Sequence, residues 1–367
     1  MTNRLKLIFL SLIVTLASCK KDDPVEPEPA VKSVLIGNQG VNPNGISTFT
    51  EYNPNSGEVN QNVYRKKNID APGSFVNDIL IDGDEIYMIM RVSSTLLIAD
   101  ANTYKLKEKI VLDGSPRRIL KVDEGKFYIT DANTARIKVF NRTAKKVTKT
   151  IKVGDSPDRM FSYKDMVFVA NTGMLNRDSS VTLVRSSVDT VITTMYVGDR
   201  PNSFAMDSDN ENLYVLCQGY SSPGDILATT ASQVRKFRMD SIYQAIENGW
   251  DINAEMKTEF SNMEIRGVDL FISSSDEYLY FLGNNDPGGN GHGLMRMSAK
   301  TLQEPITPFV EGIFYTLAYD PFNDELYASS GTAGNFDAEM YRYKTSDGSL
   351  IARFMAGVYP RPIAFKK

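Results

Sequence analysis

A short phrase recurs along this chain of 367 residues: DGSPRRIL at Asp113–Leu120, VGDSPDRM at Val153–Met160, VGDRPNSF at Val197–Phe204 and AGVYPRPI at Ala356–Ile363. Self-similarity at a fixed period constrains a fold more than any single residue, because each repeat is a small unit that buries its apolar surface only against its neighbours. Aligning the residue before each phrase's apolar run gives Val76, Pro116, Pro157, Pro201, Ile265, Phe314 and Pro360, at steps of 40, 41, 44, 64, 49 and 46 residues. In the clearest unit, RILKV, KFYIT, RIKVFN and KVTKTIKV alternate or run apolar over strand length. They are separated by turn residues at Asp123–Gly125, Asp131–Thr134 and Arg142–Lys145, and no helical period of useful length lies between them.

Four strands per repeat and seven repeats predict an all-β, seven-bladed β-propeller, in which radial repetition of four-stranded antiparallel sheets protects their edges. The ring must also close. Ser33–Asn38, Ile46–Asn53 and Val59–Arg65 are three strand-like runs with no inner strand before them, and Arg361–Phe365 is a lone inner strand with no blade after it. Together they predict one blade built from both termini, with the propeller spanning residues 32–367. The long step after Pro201 holds an insertion, DSIYQAIENGW (Asp240–Trp250). Asp240 or Ser241 is expected to cap a short helix whose Ile242, Ala245 and Ile246 share a face, Gly249 to end it, and Trp250 to pack it down.

Residues 1–18 read as a targeting segment: Arg4 and Lys6 precede an apolar run, Leu7–Leu16, too short to span a bilayer comfortably. Leu16-Ala17-Ser18-Cys19 resembles a bacterial lipobox, which implies cleavage before Cys19 and lipidation of Cys19. Lys20-Lys21-Asp22-Asp23 resembles the tag that exports many Bacteroidetes lipoproteins to the outer cell surface, and PVEPEP makes residues 19–31 an extended acidic, Pro-rich tether. With Cys19 acylated, only Cys217 remains, so no disulfide forms within the chain; Cys217 lies in an apolar strand and reads as a small buried side chain. The net charge of −4 argues against general nucleic-acid binding, which needs basic surface.

The segment FYITDANTARIKVFNRTAKKVTKTIKVGDSP resembles the repeat of YVTN-type (YncE-like) β-propellers, and Val167–Pro201 matches as well. With the lipobox, the chain is similar to Bacteroidetes surface-lipoprotein propellers, some of which bind cobalamin and deliver it to a TonB-dependent outer-membrane transporter. The resemblance implies a mouth lined by the first polar position of each inner strand: Asn77, Arg117, Asp158, Asn202, Arg266, Tyr315 and Arg361, with Arg118 and Arg159 one residue further on. Clustered arginines suit carboxylate or phosphate; the alternative is that they pair with Asp158, Asp155 or Asp199 and knit blades together. Long Gly- and Asn-rich loops on the same face project Met174, Tyr220, His292 and Phe336. The expected ligand is small, polar or anionic, with a corrinoid the leading candidate.

Other motifs carry less. DSDNENLY (Asp207–Tyr214) and DPFNDELY (Asp320–Tyr327) lack the Gly and distal Glu of a calcium loop and read as hairpin turns. GGNGHG (Gly288–Gly293) has no following helix to hold a phosphate, and His292, the single histidine, does not build a multi-histidine zinc site. No catalytic residues, resident cofactor or metal are assigned, since no His-paired nucleophile is visible. The expectation is a binder rather than an enzyme. A protein–protein scaffold, or a metal-dependent lyase or lactonase assembled from distant blades, stays open.

Overall fold

The computed structural model describes residues 31–41, 45–174, 176–221, 229–256, 258–263, 265–284, 293–305, 307–330 and 336–367. The leader, Cys19, the tether to residue 30, and His292 lie outside them. The described chain forms seven four-stranded antiparallel sheets arranged as a β-propeller. The inner strands are Val76–Asp82, Pro116–Asp123, Pro157–Tyr163, Pro201–Met206, Arg266–Ile272, Phe314–Asp320 and Pro360–Lys366; we number blades one to seven in that order.

Blade seven closes the ring as the leftover strands predicted. Its inner strand, Pro360–Lys366, pairs with Ser33–Asn38, which pairs with Thr48–Tyr52 and then with Val59–Asn60. The outermost strand is only two residues long, much shorter than the expected Val59–Arg65 run. All six residues of Ser33–Asn38 are buried, and Val31 already belongs to the core.

The recurring phrase has a local cause. Each inner strand starts beside the end of the second strand, whose last side chain points into the turn. In blade two that residue is Asp131, fully buried, accepting from the Ser115 backbone N–H at 3.0 Å and from Lys138 Nζ. A Cβ on Gly114 would lie 2.1 Å from its Oδ2, and Gly114 also has φ +70°, so only glycine fits. In blade three a Cβ on Gly154 would meet Asn171 Nδ2 at 2.4 Å, while that amide donates to Ser180 and Thr182. The glycine is therefore the room left for the second strand's terminal side chain.

A second repeated feature holds blades to one another. An aromatic residue in each of six second strands (Tyr87, Tyr128, Phe168, Tyr214, Tyr280, Tyr327) is buried between neighbouring sheets. Several of the tyrosines also reach the next blade: Tyr214 donates to Ala299 O at 3.2 Å and Tyr280 to Thr345 O at 2.9 Å. The apolar body fills the wedge and the hydroxyl finds a partner, the economical way to bury tyrosine.

The insertion in blade four forms the helix Met239–Asn248, with Ile242 and Ala245 buried and Gly249 in the left-handed conformation at its end. Its N-terminus carries no side-chain cap, contrary to expectation. Trp250 does not pin the insertion down; it is 53% exposed, and Met239 and Ile252 take that role in the core. Cys217 is fully buried and its thiol is pushed up to about 12 by burial. Because the thiolate is the reactive form, peptide mapping after brief alkylation is expected to find Cys217 unmodified in native protein and fully modified in denaturant.

Candidate functional site

Every inner strand carries one residue more than its partner near the start. The register slips between Val76 and Asp78, Pro116 and Ile119, Pro157 and Met160, Pro201 and Ser203, Val268 and Phe271, Phe314 and Thr316, and between Pro360 and Ile363 opposite Asn38 and Ile36. Such a bulge re-aims side chains out of the ladder. Here it turns them toward the ring axis, where they line a cavity of about 380 Å³.

Eight of the residues expected at the mouth line this cavity: Asn77, Arg117, Arg118, Asp158, Arg159, Asn202, Tyr315 and Arg361. Arg266 does not. Blade five lacks the proline, Gly267 stands where the other blades place it, and the bulge falls on Asp269 (φ +58°). Val268 and Asp269 therefore line the cavity in place of Arg266. Tyr220 lies outside the lining, in contact with the guanidiniums of Arg177 and Arg200 at 5.0 and 5.2 Å from its ring centre. Phe336 is 72% exposed and is not part of the wall.

The lining contains six arginines and two aspartates. Asp158 receives Arg117 through Nε and a terminal nitrogen at 2.9 and 2.8 Å, and Arg118 Nε at 2.7 Å. Burial alone would raise its pKa, but Arg118 and Arg117 outweigh that and hold the carboxyl far below its usual range. Asp269, 1% exposed, is shared by Arg159 and Arg361, the latter at 2.8 Å. So the alternative of internal pairing is half right. Asp158 does knit arginines, Asp269 does so unforeseen, and Asp199 binds Arg177 outside the cavity. Two carboxylates occupied by four guanidiniums still leave an excess of four positive charges among the lining residues, with Asp78 behind them, 3.5 Å from Arg118.

Several lining residues went unread in the sequence. Gln39, Arg91, Thr172 and Gln218 each follow directly on the second strand of their blades, and Phe75 and Arg200 directly precede an inner strand. Both are periodic positions, so the repeat marks them once the bulge geometry is known. Phe75 and Arg200 adopt positive φ, +60° and +55°, which points these side chains inward. The amides of Asn77 and Asn202 are less available than expected: they donate to Arg117 O at 2.6 Å and Gly267 O at 3.1 Å, binding each blade to the next.

The two acidic hairpins are turns. Asp207 accepts from the backbone of Glu211 and Asn212, and Asp320 from that of Phe322 and Asn323. Among the described residues no cluster of three or more His, Cys, Asp or Glu is placed to hold a metal ion.

No curated protein matches the chain. Among solved structures it is similar to a protein from Lactobacillus plantarum (TM-score 0.64, 12% identity, 92% of this chain and 100% of that one). A Bacteroides thetaiotaomicron quinonprotein alcohol dehydrogenase-like protein is also similar (TM-score 0.62, 14% identity, 90% and 77% covered). So is a Bacteroides fragilis protein named provisionally as a 6-phosphogluconolactonase (TM-score 0.63, 11% identity, 94% and 100% covered). At these identities the likeness is one of fold, and a fold of this kind hosts many functions. A family model does match the repeat region, over residues 33–360. The chain belongs to that family, DUF5074, described as a domain of unknown function.

Proposed function

We propose that this protein captures a polar, negatively charged solute in its central cavity and, carried on a lipid anchor at the outer cell surface, passes it to a TonB-dependent outer-membrane transporter. One observation carries the binding reading: an acidic chain gathers six arginines against two aspartates around one concave space. The volume, about 380 Å³, is that of a small-molecule site. The anchor and transporter rest on the Leu16–Cys19 and Lys20–Asp23 motifs and on the resemblance to surface-lipoprotein propellers.

A corrinoid is the first ligand to test on that resemblance. A corrinoid is larger than a cavity of about 380 Å³, so it would rest on the mouth with its phosphodiester toward the arginines. Calorimetric titration of the mature protein with cobalamin is expected to give a dissociation constant of micromolar or tighter. Absence of heat and of any such affinity ends the corrinoid version. Recovery of a transporter that holds the protein with no solute would favour a scaffold instead. Protease shaving of intact cells checks the outer location.

A further inference from the structure

Resting on the reading of the cavity as a solute site, we propose that it selects a compact polyanion and that Arg91 and Arg200 are the residues that grip it. By compact polyanion we mean a molecule of sugar or citrate size with two or more ionised carboxylates or phosphates. The six arginines of the wall are not equivalent. Arg117, Arg118, Arg159 and Arg361 are committed to Asp158 and Asp269. Arg91 and Arg200 form no ion pair among the described residues, and the buried Nε of Arg200 has no hydrogen-bond partner there.

Both are nonetheless held in place. Arg91 stacks on Phe75 at 5.4 Å and Arg200 on Tyr220 at 5.2 Å. Arg177 also lies over the Tyr220 ring, and Asp199 fixes it through Nε at 3.0 Å and a terminal nitrogen at 2.6 Å. A guanidinium stacked on a ring is oriented through its face, which leaves the N–H donors along its edge for a carboxylate or phosphate. Tyr220 thus acts as a positioning residue behind the wall.

The placement argues for more than one charge on the ligand. Arg91 belongs to blade one and Arg200 to blade four of seven. They approach from well-separated sectors of the ring, and a single small monoanion would engage one of them only. The excess of four positive charges also exceeds what one carboxylate neutralises. Arg91 is depressed from its ordinary pKa by burial and then by the neighbouring charge of Arg117. Like charges held this close in the free protein are relieved when an anion enters.

The test is calorimetry of the full chain with citrate, pyrophosphate and acetate at low salt. At least one of citrate and pyrophosphate is expected to bind tenfold or more tighter than acetate and to weaken as ionic strength rises; which of them prevails separates a carboxylate from a phosphate ligand. Arg91→Gln and Arg200→Gln are each expected to lose tenfold or more of that affinity, and Arg185→Gln, at the end of the strand Ser180–Arg185 and absent from the cavity lining, to lose none. If a glutamine variant does not fold, the lysine variant, which keeps charge without the planar fork, is expected to lose threefold or more. Polyanions binding no tighter than acetate, or binding unaffected by both variants, overturns the inference. In that event cobalamin binding that survives in wild type and is lost on blocking the cavity with Met174→Trp, at an exposed lining residue, leaves the capture reading standing. If neither polyanions nor cobalamin bind, both fall.

Discussion

Asp158→Ala is expected to lower the free energy of unfolding by about 3–5 kcal/mol, the cost of stranding buried charges by removing their partner. Asp158 is 7% exposed and takes three charged hydrogen bonds from Arg117 and Arg118, at 2.7 to 2.9 Å. Its loss leaves Arg117 without an ion pair among the described residues and Arg118 with Asp78 alone, at 3.5 Å, in a wall whose lining already carries an excess of positive charge. Urea denaturation of variant and wild type reads the difference directly; a loss below about 1 kcal/mol would place Asp158 among ordinary surface pairs.

The same carboxylate sets an acid response. Its folded pKa is lowered, by Arg118 and Arg117 acting against burial. A lowered carboxylate contributes stability above its unfolded value, near 3.9, and loses it as pH falls toward the folded value. Wild type should therefore weaken between about pH 5 and pH 2. Asp158→Asn, already weaker at pH 7, should show a shallower decline over that interval.

Deletion of residues 360–367 is expected to abolish cooperative folding altogether. Those residues supply the inner strand of blade seven, which pairs along Ser33–Asn38 and packs beside the inner strands of blades one and six. Without it, Val34, Ile36 and Val76, all fully buried, face solvent. Asp269, 1% exposed, also keeps only one of its two arginines. Losses of this number and kind exceed the net stability of about 5–15 kcal/mol that a folded domain has to lose. Size-exclusion chromatography and a thermal scan by near-ultraviolet circular dichroism check it. A truncated chain that elutes as a compact monomer with a sharp transition would show that six blades hold without the seventh. A circular permutant that joins residue 367 to residue 31 and opens an exposed hairpin tip should instead fold as well as wild type.

The fold was legible because its main determinants are local. Glycine beside the second strand's last residue and proline at the start of the inner strand leave a printed signature in blades two, three, four and seven. Blades one and six lack the proline and were still placed by spacing, whereas in blade five the bulge moved to Asp269 and the expected Arg266 gave way to Val268 and Asp269. The cavity was legible by halves. Residues after each proline stood out as variable within a constant phrase. Arg91 and Arg200 did not, because their inward direction follows from a bulge and a positive φ that no residue type announces. Nor did the sharing of Asp269 by arginines from blades three and seven, a contact spanning 110 and 92 residues of sequence.

The strand that locks the ring also brings Arg361 to the cavity. Synthesis runs from the amino end, so residues 360–367 are made after the inner strands of the other six blades. Until they dock, there is neither a closed ring nor a finished wall, and Asp269 waits for its second guanidinium. The wall of the cavity is thus complete only when the ring is closed. A chain clipped before Pro360 loses Arg361 from the wall in the same stroke that opens the ring.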